Sequence, residues 1–135
     1  MIYSRPIRIE FNHCDPAGIV FYPRYLEMTN SVVENFFRDV VDLPFEVMMA
    51  RQEGVPTARL EFNFHAPSRL GEILDWRLKV ARLGGAALDL DIEAHGPSSH
   101  RLTAALTVVY INPKGRPQAW PDEVRQRITA FMEAK

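Results

Sequence analysis

The chain has 135 residues, a formal net charge of −1, 47% hydrophobic and 24% charged residues. That length suits one domain, residues 1–135, with one core, and the near-neutral charge gives no global attraction to nucleic acid or an anionic membrane. One cysteine excludes an internal disulfide framework, and no apolar run is long enough to span a bilayer or to follow a basic leader, so a cytoplasmic protein is expected.

Residues 2–12 predict a strand. Ile7, Ile9 and Phe11 alternate with Arg8, Glu10 and Asn12, giving one apolar and one polar face. Pro6 marks its start or an edge position. Residues 23–41 predict the longest helix. Tyr25, Met28, Thr29, Val32, Val33, Phe36, Phe37, Val40 and Val41 recur at spacings of three and four, a broad stripe that needs a sheet to lie against. Leu43-Pro44 should end it. A short helix is expected over 45–52, before the breakers Gly54 and Pro56.

Four strand signals follow. Ala58, Leu60, Phe62 and Phe64 alternate with polar residues, as do Leu74 to Val80 and Leu88 to Ala94. Gly84-Gly85 reads as a hairpin turn, and 96–99 as another turn. Leu102 to Ile111 is apolar or small on both faces, which suits a central strand covered on both sides. Pro121-Asp122-Glu123 opens a C-terminal helix in which Val124, Ile128, Phe131 and Met132 form a narrow stripe. A strand, a long helix and four more strands predict an α+β fold, a helix on one face of an antiparallel sheet.

The chemistry is expected between Phe11 and Met28, where the first strand gives way to the long helix. Pro16 biases Asp15 away from helical backbone. Gly18 admits a positive φ and a sharp turn, and Pro23 suits the first turn of a helix. The first N–H groups of that helix, near Tyr22 and Arg24, have no internal acceptor and lie at its partly positive end. A carboxylate beside them supplies a base or nucleophile together with a donor for a developing oxyanion. Asp-Pro-x-Gly is also the composition of an ordinary turn.

The stretch Asp15-Pro16-Ala17-Gly18-Ile19-Val20-Phe21-Tyr22-Pro23, with Cys14 before it and Tyr25 after it, resembles the signature of the 4-hydroxybenzoyl-CoA thioesterase family, a branch of the hotdog-fold acyl-CoA thioesterases. The resemblance implies a five-stranded antiparallel sheet wrapped around a long central helix, with a C-terminal helix added. It implies hydrolysis of an aromatic or related acyl-CoA, no cofactor beyond the coenzyme A of the substrate, and a homodimer that pairs into a homotetramer. It gives Asp15 the role of nucleophile or general base and the Tyr22 backbone N–H that of oxyanion donor. Gly18, Phe21, Tyr25, Asn30 and Arg82 follow as substrate-binding positions. Asn30 replaces a family carboxylate that meets a ring hydroxyl, and an amide still donates and accepts. Arg82 is what remains of a basic cluster for coenzyme A phosphates, with Arg59, Arg69, Lys79 and Arg101 as substitutes. Phe21, Tyr25 and Trp76 are candidate walls of the acyl pocket.

Other arrangements are less favoured. Cys14 and His13 are adjacent in an extended segment and should point apart, which argues against a cysteine hydrolase. Glu27 and Glu34 on the long helix are the fallback carboxylates. His95 and His100 flank a turn without a further ligand at suitable spacing, so no metal is expected. An acyl-CoA sensor without turnover, a hydratase on the same fold, a structural dimerisation domain and a carrier-protein thioesterase are the alternatives.

Overall fold

The alternating segments pair as one antiparallel sheet in a computed structural model describing residues 1–135. The strands are β1 (Tyr3–Arg8), β2 (Thr57–Phe64), β3 (Ile73–Leu83), β4 (Ala87–Gly96) and β5 (Ser99–Val109), side by side in the order β1-β3-β4-β5-β2. The helices are α1 (Arg24–Phe36), α2 (Phe45–Ala50) and α3 (Asp122–Glu133).

Strand register turns the two-residue period into two chemically distinct faces. Leu78, Ile92, Ala104 and Phe62 form one cross-strand row, and Trp76, Ala94, Leu102 and Phe64 the next. These rows face α1, whose Tyr25, Met28, Val32, Val33 and Phe36 are buried against the sheet. Between them on the outer face run Arg77, Glu93, Thr103 and Asn63, so opposite charges stand across neighbouring strands. α3 docks on the same chain: Phe131 meets Phe36 edge-on at 5.3 Å, and Trp120, just before the helix, stacks on Tyr110 at 5.0 Å.

Four expectations change in detail. The first strand stops at Arg8, and Phe11–His13 is a 3-10 turn with Phe11 83% exposed. Glu10 N–H donates to His13 Nδ1 (2.8 Å) and His13 N–H to Glu10 O (3.0 Å), closing the turn locally. The long helix runs as α-helix to Phe36 and as a π-helical turn over Phe37–Val41. It ends on Asp42, held left-handed at φ 57, one residue before Leu43-Pro44. β2 has the expected alternation but lies at the sheet edge, where α1 covers it only in part, so Leu60 and Phe64 stay partly exposed. β5 is central, yet only its Leu102, Ala104, Leu106 and Val108 face is buried.

One polar cluster ties the sheet to the loops. The Arg101 side chain, 5% exposed, donates to both oxygens of Glu72 (2.6 and 3.0 Å). It also donates to the Pro67 and Pro97 carbonyls (3.1 and 3.0 Å) and to Ser99 Oγ (2.9 Å). Gly96 leaves room for it, since a Cβ there would come within 2.5 Å of the guanidinium. Arg101 is therefore a structural residue and not a contact for coenzyme A phosphates.

The Arg101 guanidinium holds the Glu72 carboxyl down at about 2, against an ordinary 4.5. A depressed folded-state pKa gives stability that is complete above pH 4.5 and is lost as the pH falls toward 2. Glu72→Gln should lower stability at pH 7 by about 3 kcal/mol. The gap to wild type should narrow below pH 4.5, as read by urea denaturation at pH 7 and pH 3. A gap of constant size would contradict this account.

Candidate active site

Asp15 lies at the turn of a short hairpin that leads into α1. Cys14 bridges Val20, Asp15 N–H donates to Ile19 O (3.0 Å), and Phe21 N–H donates to His13 O (2.9 Å). Gly18 makes the reversal at φ 79, and its N–H donates to Asp15 O at 2.9 Å. The Asp15 carboxylate uses one oxygen in the turn: Oδ1 accepts from Ala17 N–H at 2.8 Å, and Oδ2 has no partner in the chain. The ordinary-turn geometry and a free carboxylate oxygen are thus both present.

The segment between β2 and β3 fixes this hairpin from behind. Val20 N–H donates to Ser68 O (2.9 Å), Leu70 N–H to Gly18 O (3.1 Å) and Ile9 N–H to Glu72 O (2.8 Å). The Arg101–Glu72 pair therefore orients Asp15 through three backbone links.

The start of α1 is more selective than the sequence shows. Arg24 N–H donates to Phe21 O (2.9 Å), and Pro23, at the N-cap position, has no N–H. Tyr22 N–H finds no acceptor in the chain, which leaves it as the free donor at the positive end of the helix. The Tyr22 ring is 63% exposed and meets Phe21 edge-on at 5.6 Å.

From Tyr22 an i, i+4 stripe runs along the helix face that the sheet does not cover: Tyr22, Leu26, Asn30, all exposed. Leu26 and Asn30 lead into a cavity of about 470 Å³, within the range of small-molecule sites. Its apolar walls include Val33, Phe45, Met48, Val55, Leu60 and Leu106, with Glu53 and Thr29 as polar members. The Glu53 carboxylate accepts from Tyr110 O–H (2.5 Å) and Gln118 Nε2 (3.1 Å), and it pushes the Tyr110 pKa, already raised by burial, up to about 12.

The expected site residues separate into three groups. Asp15, Gly18, Phe21 and Tyr22 share the hairpin, and Asn30 lines the cavity. Tyr25 is core: it is buried, packs on Phe64 at 5.6 Å, and burial raises its hydroxyl pKa. Trp76, fully buried under α1, is also core and not a pocket wall. Arg82 is exposed near the end of β3, whereas the Asp15 hairpin sits by its beginning, roughly 30 Å away along an eleven-residue strand. A single chain does not bring Arg82 to Asp15.

His13 and Cys14 form no catalytic pair, since His13 Nδ1 accepts from Glu10 N–H and Cys14 Sγ lies 3.6 Å from Glu10 O. Glu27 is bound to Arg24 at 2.7 Å, and Glu34 is on the exposed helix face. α2 and residues 53–57 wall the cavity without a motif to mark them, and the one signal in the sequence is the grouping of Phe45, Met48 and Met49 in one short helix. The outer face also departs from expectation, for Glu93 joins His95 and His100 with donor atoms within 4.8 Å of one another.

A profile of the Thioesterase-like superfamily matches residues 9–128. The chain belongs to that superfamily, and so to the thioester hydrolases. No curated protein shows a significant match. Among solved structures, a gentisyl-coenzyme A thioesterase is similar at TM-score 0.84 and 22% identity, covering 91% of this chain and 99% of that one. A 1,4-dihydroxy-2-naphthoyl-CoA thioesterase from Synechocystis is similar at TM-score 0.88 and 17% identity, covering 99% and 100%. A Staphylococcus aureus protein solved in complex with CoA is similar at TM-score 0.92 and 14% identity, covering 98% and 85%. These likenesses establish the hotdog fold.

Gly18 has open space where a Cβ would go, so its requirement is conformational. Gly18→Ala should destabilise the chain by about 1 kcal/mol, the cost of a left-handed L-residue, in urea denaturation. An unchanged midpoint would show that the hairpin relaxes freely.

Proposed function

We propose that the chain hydrolyses an aromatic or related acyl-CoA to the free acid and coenzyme A. The observation that carries this is the hairpin-to-helix junction: a free Asp15 oxygen, a free Tyr22 N–H, and a helix stripe running from that N–H into an apolar cavity. The thioester carbonyl would take the Tyr22 N–H, at the positive end of α1, as its oxyanion donor. The acyl group would lie along Leu26 toward Asn30, whose amide offers a donor and an acceptor to a ring substituent.

Asp15 acts in one of two ways. Its Oδ2 attacks the carbonyl, a mixed anhydride forms as the coenzyme A thiolate leaves, and water then cleaves the anhydride. Alternatively, Asp15 takes a proton from water as that water attacks. Single-turnover hydrolysis in ¹⁸O-water separates them where water cleaves the anhydride at its Asp15 carbonyl, because the acid then keeps an unlabelled Asp15 oxygen, whereas direct attack by water on the thioester labels it.

The working unit proposed is a homodimer, with a tetramer built from it. β2 has a free edge, and Leu60 and Phe64 are partly exposed beside the Tyr22–Asn30 stripe. Paired strand edges and buried apolar side chains would both be gained when a second copy covers this side. Arg82 would then serve coenzyme A phosphates only across such an interface. The solved thioesterases acting on gentisyl-CoA and 1,4-dihydroxy-2-naphthoyl-CoA, and the fold relative holding CoA, support an aromatic acyl-CoA substrate.

Asp15→Asn keeps an acceptor for Ala17 N–H and is the cleaner variant. Its kcat should fall by about 100-fold or more while acyl-CoA binding and melting temperature hold, in a free-thiol assay over aromatic and straight-chain acyl-CoAs. Tyr22→Ala should stay within several-fold of wild type, since the role belongs to the backbone. Full activity in Asp15→Asn would overturn the site, and binding without turnover in the wild type would make the protein a sensor. Leu60→Glu should shift the chain to monomer in analytical ultracentrifugation and abolish turnover with it.

A further inference from the structure

Three of the four histidines of the chain converge on the outer face of the sheet, away from α1 and the Asp15 hairpin. His95 is the register partner of His100 across β4 and β5, and their rings stack at 4.4 Å. Glu93, two residues before His95 on β4, projects to the same side, and its Oε2 lies 3.2 Å from His95 Nε2. The His65 ring, just past the end of β2, is 4.7 Å from that of His100. No step proposed for the thioesterase site uses any of these residues.

We propose that Glu93, His95 and His100 form a binding site for a divalent transition-metal ion of the zinc class. The donor atoms of the three lie within 4.8 Å of one another. Zinc bonds of about 2.1 Å in a tetrahedron place donors about 3.4 Å apart, a closure that side-chain rotation on a strand surface supplies. His95 and Glu93 are partly exposed, at 27% and 48%, so an ion has access. Two imidazoles and a carboxylate, without thiolate, suit zinc, nickel, cobalt or copper and disfavour magnesium and calcium.

The tautomer of His100 leaves Nδ1 free to ligate. Its Nε2 lies 2.8 Å from the Leu102 carbonyl, which only accepts, so Nε2 carries the proton. A neutral ring then has its lone pair on Nδ1. A ring nitrogen held by a backbone carbonyl while the other ligates is how protein histidines are commonly oriented on a metal. Thr103 Oγ1, 2.9 Å from His65 Nε2 and 3.3 Å from His100 Nε2, steadies both rings. Arg77 is occupied by Asp75 at 2.8 Å, which leaves the Glu93 carboxylate without an arginine bound to it.

The ion would bridge β4 and β5 beside the turn that closes their hairpin. His100 directly precedes Arg101, whose side chain points to the buried face. The clamp would therefore stand on the back of the strand that positions the Arg101–Glu72 pair.

The test is calorimetric titration of chelator-stripped, tag-free full chain with Zn²⁺, repeated on His95→Ala/His100→Ala, Glu93→Gln and Cys14→Ser. The expected result is one ion per chain and a raised melting temperature in the wild type. Binding should weaken at least about tenfold in the double variant, with the metal-free melting temperature unchanged, and should also weaken in Glu93→Gln. Cys14→Ser, which removes the one thiol, should bind as wild type does. Absence of stoichiometric binding, equal affinity in the double variant, or loss that follows Cys14 instead would each overturn the proposal.

Discussion

The site depends on the buried pair between Arg101 and Glu72. Arg101 reaches the turn between β4 and β5 through Pro97 and Ser99, and the segment between β2 and β3 through Pro67 and Glu72. That segment carries the backbone links that hold the Asp15 hairpin. A buried ion pair rarely adds much stability over a well-packed apolar alternative, yet losing one partner strands a charge. Here its effect is to fix geometry, because every hydrogen-bonding group of the guanidinium has a partner only when both loops are in place. Gly96 belongs to the same constraint, since a larger residue would displace the guanidinium.

The exposed inner-side surface has a single physical origin. One helix covers the middle of a twisted five-stranded sheet, but its β2 edge only in part. Leu60, Phe64, Leu26 and the Phe21–Tyr22 pair are therefore left partly open on one side of the molecule. The same side holds the free Tyr22 N–H and the cavity. The apolar residues that border the cavity are also those that a second copy would cover in the proposed dimer. In the proposed dimer, catalysis and assembly would draw on the same surface.

The two faces of the sheet can carry separate chemistry because strand alternation sends neighbouring residues apart. A register shift between Ala94 and His95 breaks that alternation at Arg101, so Arg101 and Leu102 are both buried while His100 goes outward to His95 and Glu93. The outer cluster was partly visible beforehand: Glu93 and His95 are two apart on one strand, and a hairpin turn separates them from His100. The missing element was register, since pairing shifted by one residue would put His100 on the other face.

The sequence by itself determined the order of elements, the buried stripe of α1, the alternating faces of β2, β3 and β4 and the Asp15–Tyr22 stretch, because these follow from local period and backbone preference. It also led to the superfamily, through a signature confined to consecutive residues. It did not separate Tyr25 and Trp76, which are core, from Leu26 and Asn30, which border the cavity, because composition and spacing are alike for both. It did not place Arg82 far from Asp15, or bind Arg101 to Glu72 twenty-nine residues away. Those outcomes depend on strand order, register and the twist of the sheet under α1. Such long-range pairings are decided only when the whole chain packs, so the tertiary structure fixed the cavity, the anchor of the Asp15 hairpin and the histidine cluster.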